Sequence, residues 1–191
     1  GRGHFPMTAR RDELASNLAA VRTDIAPFAP TLIVVTKTYP ASDVQILSEL
    51  GVKDFGENRN EEGLEKSAEV PARWHYQGEI QSRKLRDIAS WASVVHSLDN
   101  TGHIAKLAGI ANQPLDIFLQ LSLDGDPSRG GVVESELSAL ADTALQSPHL
   151  NLKGLMCVPP VAAKPRESFT EIAAIHRRFV SRYPEAESLS A

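Results

Sequence analysis

The feature that most constrains this chain is a rhythm. Short runs of β-branched and aromatic residues alternate along its length with longer stretches of helical period, which predicts parallel strands joined by crossover helices. The strand runs fall at 32–35, 52–56, 74–77, 94–97, 116–121 and 152–157, and a seventh opens near Ser188. Helical stretches fill the gaps, beginning with 11–25. Ser42, with Gln45 three residues on, forms a capping-box pattern, and Gly51 supplies a C-terminal stop. The stretch 164–183 sets Phe169, Ile172, Ala173, His176, Phe179, Val180 and Tyr183 on one stripe, with Pro184 ending it.

Such alternation permits an open doubly wound sheet or a closed (β/α)8 barrel. The barrel is favoured. No Gly-x-Gly-x-x-Gly follows the first strand, and no Gly-x-x-x-x-Gly-Lys-Ser/Thr occurs anywhere. Polar residues end nearly every strand, as expected where all the C-terminal strand ends share one site. The expected architecture is therefore an α/β chain with a TIM-type (β/α)8 barrel, its eighth strand absent from this sequence. One domain is expected over residues 7–191. Residues 1–6, ahead of Met7, read as a cloning remnant.

Composition narrows the function classes. At 42% hydrophobic and 23% charged residues with a net charge of −4, the chain is an ordinary globular protein without the basic footprint of a nucleic-acid binder. Its one cysteine, Cys157, excludes an internal disulfide framework and points to a reducing compartment, so a cytoplasmic protein is expected. No apolar run approaches the roughly 20 residues a membrane span needs. No metal is expected: His103, His149 and His176 are scattered without ligand spacing. The loop from Asp124 to Gly131 carries Arg129 and Ser135 where a calcium loop needs glycine and glutamate.

Reading only strand ends gives Lys37 after the first strand, Glu57 and Asn58 after the second, and Gln77 and Glu79 after the third. His96 and Asp99 follow the fourth, Ser122 and Asp124 the fifth, and Cys157 the sixth. In a barrel these would converge on one mouth. Lys37 stands just past the apolar run Leu32-Ile33-Val34-Val35, where it is a solvated charge or a chemical tool. A partly desolvated ammonium loses its proton more easily, and the neutral amine condenses with an aldehyde to form an imine. The residues alone leave both readings open, and His75 is equally readable as a core histidine with satisfied hydrogen bonds.

Five motifs in register then become recognisable together. Val34-Val35-Thr36-Lys37-Thr38, Phe55-Gly56-Glu57-Asn58, Trp74-His75-Tyr76-Gln77-Gly78-Glu79-Ile80-Gln81-Ser82-Arg83-Lys84, His96-Ser97-Leu98-Asp99 and Gly154-Leu155-Met156 resemble the pyridoxal phosphate homeostasis protein family. The resemblance implies a single-domain barrel similar to the N-terminal domain of alanine racemase, carrying pyridoxal 5′-phosphate as a Schiff base on Lys37. Asn58 matches a family position near the cofactor, and His75 and Gln77 match pocket-lining positions.

It further implies a non-catalytic carrier acting in vitamin B6 homeostasis, with apo forms of pyridoxal phosphate-dependent enzymes as recipients; a monomer is expected, since no apolar stripe is left over once the barrel is packed. The alternative is a pyridoxal phosphate-dependent racemase or lyase. Two departures stand out. The family commonly has Asn where this chain has Arg83. After Leu189-Ser190 the family continues with a Gly-Met-Ser segment and a strand whose Arg and Gly-Ser/Thr pair hold the phosphate, whereas this sequence stops at Ala191. Charge-assisted bonds of that kind contribute roughly 1.5–3 kcal/mol each, so residues 1–191 are expected to rely mainly on the imine.

Overall fold

The computed structural model describes residues 5–28, 30–161 and 163–191; the expected cloning remnant falls, for its first four positions, outside them. Seven strands are present among the described residues: β1 (Ile33–Val35), β2 (Asp54–Glu57), β3 (Arg73–Tyr76), β4 (Val94–Leu98), β5 (Leu115–Leu121), β6 (Leu150–Cys157) and β7 (Ser188–Ser190). All pair in parallel in the order β1-β2-β3-β4-β5-β6-β7. Seven helices, α1 (Phe5–Ile25), α2 (Ala41–Glu49), α3 (Asn60–Glu69), α4 (Leu85–Trp91), α5 (Thr101–Ile110), α6 (Leu137–Leu145) and α7 (Pro165–Arg182), alternate with them. This is the curved sheet of a (β/α)8 TIM-type barrel, with seven of its strands.

The apolar strand residues face the helices. Leu14, Leu18, Val44, Leu47, Phe55 and Trp74 form one cluster with α1 and α2. Ile88, Leu98, Ile104, Ile117, Leu119, Leu155 and Ile172 belong to a larger one beneath α4 to α7. Each such side chain contributes about 1.5–3 kcal/mol by leaving water. Phe55 and Trp74 pack with ring centroids 5.3 Å apart, and the indole N–H donates to the Val70 carbonyl at 2.9 Å.

Two local expectations are corrected. Ser42 is not the cap of α2: the helix starts at Ala41 after Pro40, whose carbonyl accepts the Asp43 and Val44 N–H groups, so the proline already ends the preceding extended segment. Gly51 does stop that helix, at φ +97°. On α7 the face toward the sheet runs through Ser168, Ile172, Ile175 and Phe179, which leaves Phe169 exposed. The apolar stripe read from 169 overlaps the buried face only on one side.

Candidate functional site

Because side chains alternate along a strand, one residue in two of each strand points into the barrel. The inward set mixes charged and polar groups with apolar ones. Asp54 of β2, Arg73 and His75 of β3, His96 of β4 and Asp116 of β5 line a cavity of about 650 Å³, together with Ile33, Val35, Gln77, Val94 and Phe118. Ser188 and Ser190 of β7 border the same space. At the N-terminal end of the strands Arg73 is ion-paired with Asp116 and lies 3.6 Å from Asp54, and Asn151 donates to Asp116 at 3.2 Å.

Above this layer, Asp54 Oδ1 lies 2.8 Å from His75 Nε2, and His75 Nδ1 lies 2.7 Å from His96 Nε2. With the carboxylate accepting, one proton per contact places hydrogens on Nε2 of both rings. His96 Nδ1 is then a buried acceptor without a partner among the described residues. His96 is stacked on Phe118, centroids 4.6 Å apart and planes within 2°. Burial, reinforced by the neighbouring His75 and Arg73, pulls its pKa down to about 3, and burial also lowers that of His75 against the opposing pull of Asp54. His75 is thus held at both nitrogens from within the protein.

The C-terminal rim carries the remaining expected residues. Lys37 follows β1 in a turn closed by the Tyr39 N–H donating to the Thr36 carbonyl at 3.0 Å, and its side chain is exposed. Thr38 in that turn has φ +72°, a left-handed conformation rare for a β-branched residue. Asn58 is also exposed, and Gln77 is half-buried at the cavity. Two glycines let these segments meet. A Cβ on Gly78 would lie 2.1 Å from the Asn58 carbonyl oxygen, and one on Gly56 would lie 2.5 Å from Gln77 Oε1.

Several strand-end residues do not reach the mouth. Glu57 has the opposite parity to Gly56 and Asn58, so it points outward beneath α3, fully buried against Lys66 and Thr36. His96 lies inside the barrel, within β4. Cys157 is buried in the helix-side core, and its thiol is pushed up to about 11 by burial. Asp99 accepts the Gly131 N–H at 2.9 Å and ties the loop after β5 to the end of β4.

Asp54, Arg73, Asp116 and Lys66 were not among the residues expected at the site. The first two were legible by period two from Gly56 and from His75. Lys66 left no such signal. No group of three or more potential ligands suited to a metal occurs among the described residues, and no helix is long and apolar enough to cross a membrane.

The family model of the alanine racemase N-terminal domain matches residues 10–190. The pyridoxal phosphate homeostasis protein of Corynebacterium glutamicum is 43% identical over 151 residues, covering 73% of this chain and 68% of that protein. This chain belongs to the pyridoxal phosphate homeostasis protein family. Another member, from Mycobacterium leprae, is 35% identical over 215 residues, covering 95% of this chain and 84% of its own length. Among solved structures, PipY of Synechococcus elongatus without PLP superposes with a TM-score of 0.84 at 28% identity, covering 93% of this chain and 88% of that one. Alanine racemase from Corynebacterium glutamicum, at 14% identity and a TM-score of 0.73, shares the fold over 92% of this chain and 51% of its own.

Proposed function

We propose that this chain binds pyridoxal 5′-phosphate through a covalent imine to Lys37 Nζ and acts as a cytoplasmic carrier in pyridoxal phosphate homeostasis, passing the cofactor to apo enzymes. The observation that carries this is the state of Lys37. It stands on the C-terminal rim, where barrel proteins place their chemistry, with neither ion pair nor hydrogen bond to any described residue. Imine formation needs an uncommitted amine, which adds to the aldehyde carbon and expels water.

The surroundings fit the cofactor. Asn58 and Gln77 supply amide donors and acceptors beside the rim, and His75, fixed by Asp54 and His96, lies below them on the cavity wall. The cavity of about 650 Å³ below this rim has Gln77 and His75 on its wall, while Lys37 and Asn58 stand outside its lining. The chemistry the bound cofactor supplies is an electrophilic aldehyde. Support also comes from PipY of Synechococcus elongatus, solved with PLP bound and superposing on this chain with a TM-score of 0.81.

The test is absorbance after addition of pyridoxal phosphate, then borohydride trapping and mass mapping. Label is expected on Lys37 and absent from Lys37→Ala; label distributed elsewhere would overturn the assignment. Exchange of an amino acid's α-proton with solvent deuterium, above the free-cofactor rate and lost in Lys37→Ala, would overturn the carrier reading in favour of an enzyme.

A further inference from the structure

We propose that Lys66 is a positioning residue for Lys37, acting from outside the barrel through the backbone of the turn that carries it. This rests on the reading of Lys37 as the cofactor lysine. Lys66 enters from α3 with its side chain only 7% exposed. Its Nζ donates to the Thr36 carbonyl at 2.7 Å and to Glu57 Oε1 at 2.7 Å, and Glu62 lies 3.7 Å away. Glu57 Oε1 also accepts from the Thr36 hydroxyl. Thus one buried ion pair grips both the carbonyl and the side chain of the residue immediately before Lys37.

The grip falls where the backbone needs it. The Thr36 carbonyl accepts twice, from Lys66 and from the Tyr39 N–H that closes the turn, and between them Thr38 is held at φ +72°. Such a conformation persists only where its surroundings over-determine it. The far side of the turn is braced as well: the Arg10 guanidinium lies 5.7 Å from the Tyr39 ring centre and is bound to the buried Asp43 at 2.7 Å. A buried ion pair is a poor device for stability alone, since apolar residues often replace it without loss. Holding a carbonyl in one direction is something an apolar replacement cannot do. Lys66, with its ammonium held by the Thr36 carbonyl and Glu57, is itself unavailable to an aldehyde.

The experiment uses the full 191-residue chain carrying Lys66→Met with Glu57→Gln, which removes the cation without stranding its carboxylate. Tyr39 amide exchange is read without cofactor, and pyridoxal phosphate affinity with borohydride trapping is read alongside. Exchange at Tyr39 is expected to rise at least tenfold and apparent affinity to fall about tenfold. Unchanged exchange and unchanged affinity in a folded double variant would overturn the proposal. Faster Tyr39 exchange with no label on Lys37 in the parent chain would instead overturn the cofactor reading and leave the positioning role standing. If the double variant does not fold, Lys66→Arg decides, since a guanidinium keeps the pair with Glu57 but cannot place the same single donor on the Thr36 carbonyl: faster Tyr39 exchange with weaker trapping is expected, and both equal to the parent would overturn the proposal.

Discussion

Lowering the pH should unfold this protein earlier than its carboxylates alone would dictate, because His96 must stay neutral inside the barrel. The ordinary histidine pKa is 6.5, and burial beside His75 and Arg73 holds His96 at about 3. Between those values the unfolded chain takes up a proton that the folded chain refuses, so stability is complete above about pH 6.5 and falls as the pH drops toward 3. From pH 7.5 to 5.0 this one group removes about 2 kcal/mol. At a urea slope near 2 kcal/mol per molar, that is a shift of about 1 M in midpoint. His75, also lowered by burial, acts in the same direction.

The comparison is His96→Gln, whose amide can still donate toward His75 Nδ1 but does not titrate. Glu49, Glu61 and Glu134, held below the usual carboxylate range by Arg11, Lys84 and Arg178, contribute equally to both proteins and mainly at lower pH. Urea unfolding at the two pH values should show the parent losing about 2 kcal/mol more than the variant. Equal losses would refute the reasoning, since the neutral buried imidazole would then not be what the acid attacks.

Two further outcomes follow from packing. Gly63→Ala places a methyl 2.3 Å from the six-membered ring of Trp91, so α3 and α4 must separate; thermal melting should show a destabilisation of about 1–3 kcal/mol, and an unchanged melting temperature would contradict that contact. Cys157, buried and with its thiol raised to about 11, should resist iodoacetamide at pH 8 in the native protein and label fully in denaturant; rapid native labelling would contradict its burial.

The strands were legible because buried parallel strands are written as short β-branched runs, and all seven appear within a few residues of their expected bounds. The rim residues Lys37 and Asn58 were legible for the same reason, as the first polar groups after such runs. Glu57 was not, because a strand end fixes height in the barrel while parity fixes the face, and Gly56 and Asn58 hold the inward parity. The inner charges Arg73, Asp54 and Asp116 look in sequence like polar flanks of apolar strands. Their pairing across three strands sets the exposed Arg73 guanidinium against the two half-buried carboxylates. Lys66 sits in a helix with Glu62, Glu65 and Glu69, where a lysine reads as one more solvated charge.

Lys37 and Lys66 carry the same amine to opposite ends because their surroundings differ. Removing one partner from a buried charge pair costs about 3–5 kcal/mol, since the remaining charge is left in a low dielectric. Lys66, bound to Glu57 and to the Thr36 carbonyl, would incur that cost on surrendering its charge to form a covalent bond. Lys37 has no partner among the described residues to abandon, and its exposed rim position lets an incoming aldehyde reach it without disturbing the core. On the proposed reading of Lys37, what each lysine would lose separates the two, and the ion pair that commits the buried one is the contact proposed to orient the backbone of the other.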